Sequence, residues 1–339
     1  PHQAVLRAAE VPTGSRLYPD ALYTLAESLV ESGTSSDWQR AKEVIEAYLN
    51  RFGSGRRAAK LRFALVRRHV EQGNWERASE GFLKLLREHP LAPETEQAKE
   101  LVERRRKGFS KADRERIDEP PLEIRAAYYR TLFERHHSRR VVEELPDELS
   151  AWTEGSRGRC RALYWIGKSQ TKLRRHERAL EWYGRIREDC AGVAPYEKKA
   201  LYLQGESFWN VGKHSRALEV FERLRQEFPE HSYADDALHF AAKIHREKGR
   251  DGRAMELLAR QVEEYPEGDM VADAHWLRVR YWFEEGRFER VEEYVGGLEE
   301  TGESGPAVRG RLRYFAARAR EKTGEPEGAR SIYRSVLES

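Results

Sequence analysis

The sequence is poor in cysteine and has no long apolar run, and each shortage removes a class of protein. Two cysteines in 339 residues are too few for a disulfide-rich scaffold or for a four-ligand structural zinc site. No segment approaches the roughly 18 consecutive apolar residues that a membrane-spanning helix needs, so we expect no membrane span. The apolar fraction of 39% and the charged fraction of 35% indicate much surface for each unit of core, as in an elongated repeat array.

Motifs that carry chemistry are missing as well. The sequence contains no phosphate-loop pattern GxxxxGKS/T, no dinucleotide pattern GxGxxG, no zinc-protease pattern HExxH and no serine-hydrolase pattern GxSxG. Asp235 and Asp236 stand where a helix is expected to open, which favours interaction with the helix dipole over acid–base work. The net charge of +3 gives no general attraction to nucleic acid. We therefore expect no catalytic residue, cofactor, metal or nucleic-acid ligand.

A turn motif recurs with a nearly constant period. Six copies begin at His136, Arg174, Gly212, Gly249, Gly286 and Gly324. Their starts are 38, 38, 37, 37 and 38 residues apart, and earlier copies occupy residues 73–78 and 33–41. Glycine at the start of the motif can end a helix because it adopts a positive φ without penalty. Apolar residues recur at helical spacing on both sides of the turn, so each copy predicts a pair of helices.

Small residues fit the same two-helix unit. Gly167 and Gly205 each stand twelve residues before a small residue of the next helix, Ala179 and Ala217, which lets the paired helices cross closely. These features resemble the tetratricopeptide motif, with three or four extra residues at the joint between hairpins. The predicted fold class is all-α, an α-α superhelix built as a tetratricopeptide-like solenoid of about eight helical hairpins. We expect N-terminal hairpins over residues 1–92, an extra helix and hinge over 93–123, and the C-terminal superhelix over 124–339.

The two cysteines belong to one predicted hairpin. Its turn is centred near residue 175, midway between Cys160 and Cys190, so antiparallel helices would place the two at the same level. A disulfide needs Cα atoms within about 7 Å, whereas helix axes lie about 8–10 Å apart. Both states therefore stay open at this point, with two buried thiols the favoured one and a disulfide the alternative. A disulfide would imply an oxidising compartment.

The inner face of the superhelix is the best candidate for binding. First helices of tetratricopeptide-like hairpins line this face, and they carry two rows of residues at the repeat period. The first row contains Tyr164, Tyr202, His239, Trp276 and Tyr314. The second row contains Lys168, Lys243, Arg280 and Arg318, with Glu206 at the remaining position. An aromatic row beside a mostly basic row suits an extended ligand, either a carboxylate-bearing glycan or a peptide. The competing interpretation is that the aromatic residues pack on neighbouring hairpins and the cations are solvated.

The C-terminal half also resembles a particular family. The residues that carry the resemblance are the run Phe228-Pro-Glu-His-Ser-Tyr-Ala-Asp-Asp-Ala-Leu238, then Tyr265-Pro-Glu-Gly-Asp-Met270, and Tyr314-Phe-Ala-Ala-Arg-Ala319 near the end. They are similar to the N-terminal α-superhelical region of soluble lytic murein transglycosylases. In that family a lysozyme-like domain with a single catalytic Glu follows, and neither that domain's Gly-Leu-Met-Gln stretch nor a matching Glu motif is present here.

The resemblance implies a function for the superhelix. It implies a non-catalytic scaffold of a periplasmic peptidoglycan-cleaving enzyme, which guides glycan strands or protein partners. The alternative is a tetratricopeptide-type adaptor of the cell envelope that binds an extended peptide or protein. No catalytic residue can be transferred from the family to this chain.

Overall fold

The computed structural model describes residues 11–32, 34–301 and 306–337, and these residues are helical apart from turns and joints. The chain divides between Trp152 and Thr153 into two compact units. The helices of the first unit are α1 (Tyr18–Ser32), α2 (Ser35–Phe52), α3 (Arg56–Glu71), α4 (Trp75–Glu88), α5 (Pro93–Arg104), α6 (Lys111–Asp118), α7 (Leu122–Glu134) and α8 (Ser138–Glu148).

The second unit consists of consecutive hairpins. Its helices are α9 (Arg157–Lys172), α10 (His176–Asp189), α11 (Tyr196–Asn210), α12 (His214–Glu227), α13 (Ser232–Glu247), α14 (Asp251–Glu264), α15 (Val271–Glu284), α16 (Phe288–Thr301), α17 (Pro306–Lys322) and α18 (Pro326–Leu337). Odd-numbered helices here are the first helices of hairpins and even-numbered ones the second, and each pair is in contact. The predicted all-α class and the tetratricopeptide-like repeat of hairpins are confirmed. Gly33, which opens the earliest turn copy, lies outside the described residues.

The segment 93–123 differs from a regular hairpin. It contains α5, a short 3₁₀ turn at Arg106–Gly108 and α6. α5 packs against both α3 and α4, and α7 also packs against α4. The segment lies inside the first unit, since the unit boundary falls later, after Trp152. A hinge at 93–123, with separate domains over 1–92 and 124–339, stays a prediction.

The repeated turn has one backbone conformation, whatever residue occupies it. Gly212, Gly249 and Gly286 have φ values of 74°, 66° and 72°. In the hairpin of Gly212, the Lys213 amide donates to the Phe208 carbonyl at 2.9 Å, the six-residue closure of a Schellman turn. His136 and Arg174 occupy the same position with φ values of 62° and 61°, in the left-handed region that is unfavourable for residues with a Cβ.

Glycine is therefore expected to stabilise the two hairpins that lack it. His136→Gly and Arg174→Gly should each raise the free energy of unfolding by about 1 kcal/mol, since the left-handed strain is removed and only part of it is lost to the greater freedom of the unfolded chain. Urea unfolding followed by circular dichroism measures the change. Gly212→Ala, the reverse substitution at the equivalent position, should lower stability. A loss of stability in both glycine variants would contradict the argument.

Close helix crossing in the second unit depends on two glycines. A Cβ added to Gly167 would lie 2.6 Å from the Tyr183 ring, and one added to Gly205 would lie 2.5 Å from the Phe221 ring. Tyr183 and Phe221 are buried aromatic residues of the second helices. The small positions therefore accept an aromatic ring from the partner helix, which is the packing that the small-residue spacing predicts.

Cys160 and Cys190 form a disulfide in the structure. Their Cα atoms are 5.8 Å apart and both side chains are fully buried. Cys190 immediately follows the last residue of α10, where the chain can approach α9 more closely than a helix axis would. The preceding residues reinforce the link, because the Arg159 Nε donates to Asp189 Oδ2 at 3.1 Å. Of the two states that the spacing permits, the disulfide is the one present, and the preference for two buried thiols is not met.

Candidate functional site

The candidate site lies on α9, α11, α13, α15 and α17, whose common surface we call the first-helix surface. The predicted aromatic row is here, but its rings mostly contact the next hairpin. Tyr202 on α11 stacks on Tyr233 of α13 with ring centroids 4.6 Å apart and an interplanar angle of 12°. Trp276 on α15 meets Phe315 of α17 edge-on at 4.8 Å. These faces are therefore covered by protein, as the competing packing interpretation predicts.

The remaining members of the aromatic row differ from one another. Tyr164 is half-buried, lies 6.1 Å from Tyr196 and carries the Lys199 ammonium over its ring; burial raises the pKa of Tyr164 to about 12. His239 is only 4% exposed, so the packing of α13 takes it away from the candidate surface. Tyr314 is 43% exposed and offers the most accessible ring of the row.

Two of the four cations of the second row rest on aromatic rings of neighbouring helices. Lys168 is half-buried, and burial lowers its pKa. The Lys243 ammonium lies 5.2 Å from the Trp209 ring, and the Arg318 guanidinium lies 5.0 Å from the Phe283 ring. Arg280 is exposed and forms an ion pair with Glu284 at 2.7 Å. Cation–π contacts of this kind hold the charges at fixed places on the surface.

Two of these cations share a cavity of about 420 Å³ between α13, α14 and α15. The apolar part of its lining consists of Ala242, Ala254, Met255, Leu258 and Leu277. The polar part consists of Lys243, Arg246, Glu247, Arg280 and Tyr281. The two rows of candidate residues predicted from the sequence include Lys243 and Arg280. They missed Met255 and Leu258 because these belong to a second helix.

Charges at the cavity are only partly compensated. Glu284 pairs with both Arg246 and Arg280, and Glu247 accepts a hydrogen bond from the Trp209 Nε1 at 2.7 Å. Within the part of the chain that the structure describes, Lys243 has no carboxylate partner. The cavity thus combines an apolar wall with an unneutralised ammonium group, an arrangement that suits a partner with apolar and acidic groups.

One hairpin earlier, the same surface is acidic. Glu206 of α11 and Asp236 of α13 occupy this region, and burial raises the pKa of both carboxyl groups, that of Asp236 to about 7. Nearby Asp269, Asp235 and Glu206 add to the Asp236 shift. Because the folded pKa of Asp236 lies above its ordinary value, its ionisation removes stability as the pH rises from about 4 to 7. This pair was not among the candidates, since Asp235-Asp236 was interpreted through the helix dipole alone.

Both carboxylate oxygens of Asp235, in contrast, accept hydrogen bonds within the protein. Its Oδ1 accepts from Gln261 Nε2 at 2.6 Å, and its Oδ2 accepts from the Met270 amide at 3.0 Å. A Cβ on Gly268 would collide with this carboxylate. The residue therefore ties α13 to α14 and to the joint that leads into α15.

The described residues, 11–32, 34–301 and 306–337, limit what other chemistry they could support. They contain no group of three or more His, Cys, Asp or Glu side chains that could hold a metal ion. None of their helices is long and apolar enough to cross a membrane.

Comparisons with known proteins agree with the repeat. A tetratricopeptide-repeat family model matches residues 202–269, which run from α11 into the joint before α15. Fold and family match together define a helical-repeat protein of the tetratricopeptide type. A comparison with curated proteins gave no match.

Similar solved structures share little sequence with this chain. A tetratricopeptide repeat protein from Parabacteroides merdae is 15% identical with a TM-score of 0.40, over 83% of this chain and 92% of that one. The apo quorum sensor NprR from B. thuringiensis is 13% identical with a TM-score of 0.40, over 99% and 91%. A Rap protein complexed with competence and sporulation factor is 14% identical with a TM-score of 0.40, over 98% and 89%.

Proposed function

We propose that this chain is a protein-interaction scaffold that binds an extended segment of a partner polypeptide on its first-helix surface. The observation that carries the proposal is the cavity between α13, α14 and α15, with Met255, Leu258 and Leu277 beside Lys243. Its volume of about 420 Å³ is enough for one or two apolar side chains of a bound segment. The Lys243 ammonium favours an acidic group next to them.

The aromatic row supports a peptide over a glycan. A sugar ring binds an aromatic side chain by lying flat on its exposed face. Tyr202 presents one face to Tyr233, and Trp276 is held by Phe315 and by the Arg311 guanidinium 5.0 Å away. A peptide does not need such platforms, because apolar side chains entering a preformed cavity provide binding energy through burial.

Selection of a displayed peptide library against the intact chain tests this proposal. Met255→Gln changes the chemistry of the cavity lining with little change of volume, and it should weaken a selected peptide at least about tenfold, or about 1.4 kcal/mol. Lys243→Glu should weaken peptides that carry acidic residues. Lys248→Glu makes the same charge change at an exposed residue outside the cavity lining and serves as the control. Failure to select any peptide, or equal binding by the Met255 variant, would overturn the proposal.

The glycan-guiding role in a transglycosylase stays a second proposal that rests on the sequence resemblance. Pull-down with purified sacculi separates the two: retention that is lost in Tyr202→Ala and Trp276→Ala would favour the glycan role. No retention, together with a selected peptide, favours the interaction scaffold. A periplasmic location is also a proposal, and it is supported by the buried Cys160–Cys190 disulfide, since such bonds persist in oxidising compartments.

A further inference from the structure

The acidic part of the first-helix surface contains a carboxylate that the protein itself does not satisfy. Asp236 is 8% exposed, and among the described residues it has neither a hydrogen-bond donor nor an ion-pair partner for its carboxylate. Glu206 has no ion-pair partner there either, although Tyr202 is close enough to hydrogen bond with it. Charged groups that are mostly buried are normally paired or hydrogen-bonded in a folded protein, and Asp236 has no such partner among the described residues.

The charges around Asp236 make the deficit larger. Asp235 lies in the same first turn of α13, and the charges of Glu206 on α11 and of the exposed Asp269 in the joint before α15 also raise the pKa of Asp236. The charge of Lys168 on α9 lowers the pKa of Glu206, but no ion pair joins the two side chains. Acidic side chains from three hairpins thus contribute negative charge to the same region.

The surroundings are aromatic as well as acidic. The stacked Tyr202 and Tyr233 rings stand beside the carboxylates, and Glu206 and Asp236 both raise the pKa of the Tyr202 phenol after the effect of its burial. Both rings are half-buried, so each keeps some accessible surface. Aromatic rings next to carboxylates form a favourable environment for an organic cation.

Other acids of the same surface show the contrast. Glu284 pairs with two arginines, Arg246 and Arg280, and Glu247 accepts from Trp209. Only one hairpin away, no ion pair joins Glu206 or Asp236 to a cation among the described residues. The difference is in the residues that neighbouring helices supply, because the repeat geometry is the same.

We propose that Glu206 and Asp236, with the Tyr202–Tyr233 stack, form a site for a positively charged side chain, lysine or arginine, of the bound polypeptide. The inference deepens the proposed function, on which it rests, by naming one chemical requirement of the partner. An organic cation fits better than a metal ion, since the described residues contain no cluster of three or more metal ligands. The cation would replace the missing ion-pair partner of both carboxylates.

Carbon-13 NMR of the aspartate and glutamate carboxyl groups of the intact chain tests the site directly. The probes are the peptides acetyl-Ala-Ala-Xaa-Ala-Ala-amide with arginine, lysine or citrulline at Xaa; citrulline has the shape of arginine without its charge. Saturating arginine or lysine peptide should lower the titration midpoint of Asp236 by about 1 pH unit, because a cation favours the ionised form. The citrulline peptide should leave the midpoint unchanged. Asp236→Asn, combined with Glu206→Gln, should weaken the arginine peptide at least about tenfold.

Several outcomes would overturn the proposal. These are an unchanged Asp236 midpoint with both cationic peptides, an equal shift with citrulline, or the same shift produced by Mg²⁺ or Ca²⁺ alone. Circular dichroism of the Asn/Gln variant establishes that it is folded, and the wild-type titration does not depend on any variant. The two proposals fail separately: selected peptides that need Met255 but have no effect on Asp236 remove only the cation site. A cation-dependent Asp236 shift, with no effect of Met255→Gln on selected peptides, removes only the cavity.

Discussion

Gly205→Val should destabilise the second unit by about 3 kcal/mol, the upper end of the range for overpacking a core. The added Cβ would lie 2.5 Å from the Phe221 ring, and two further methyl groups would need space in the same place. Phe221 is 1% exposed, so its ring cannot move out into solvent. The helices α11 and α12 would have to separate, which exposes apolar surface. Chemical unfolding followed by circular dichroism measures the loss.

Gly184→Val is the matched control for this substitution. Gly184 also lies inside a helix, α10, but a Cβ there would meet nothing within 4 Å. Its replacement should leave stability unchanged within about 0.5 kcal/mol, since valine forms helix slightly better than glycine. Phe221→Leu, combined with Gly205→Val, should cost less than the sum of the single changes because the smaller side chain relieves the clash. Equal effects at Gly205 and Gly184 would show that the close crossing is unimportant.

Reduction of the Cys160–Cys190 disulfide is the second change with a large expected effect. The bond closes a segment with a sequence separation of 30 residues. Breaking the bond gives the unfolded chain more conformational entropy. Reduction should therefore lower the free energy of unfolding by about 3 to 4 kcal/mol. Urea unfolding with and without reductant measures the change. The Cys160→Ala/Cys190→Ala variant should be weakened to a similar degree and should no longer respond to reductant.

Thiol titration of the denatured, unreduced protein is a necessary companion measurement. It should detect no free thiol, whereas two free thiols would show that the bond does not form. Arg159→Ala separates the disulfide from the neighbouring ion pair. Arg159 contacts Asp189 one residue before the disulfide at each end, and the Ala variant should leave the response to reductant intact.

The period of the turns predicted the hairpins because a helix end needs a residue that tolerates positive φ, and that requirement is local. The positive φ is present even at His136 and Arg174, which are not glycines. The close helix crossings at Gly167 and Gly205 could equally be predicted from the sequence, because only a very small residue fits at such a crossing. Local rules of this kind act within one hairpin.

Contacts between hairpins were harder to anticipate. The aromatic row was placed on the correct helices, yet whether Tyr202 faces solvent or Tyr233 depends on the next hairpin's side chains. Residues of the second helices, Met255 and Leu258, join the cavity only through the packing of three helices. The lack of a partner for Asp236 among the described residues is similarly a property of neighbouring hairpins together, which no spacing in one hairpin reveals.

Asp235 gives the array a link that crosses hairpin boundaries. Its carboxylate is bound by Gln261 from the second helix of its own hairpin and by the Met270 amide at the entrance to the following one. Fraying that begins at the start of α15 must therefore release a buried acid of α13, so the melting of one hairpin is communicated to its predecessor. A partner that contacts the cavity between α13, α14 and α15 together with α11 would span the same hairpins that this link joins, and would hold them in a single mechanical unit.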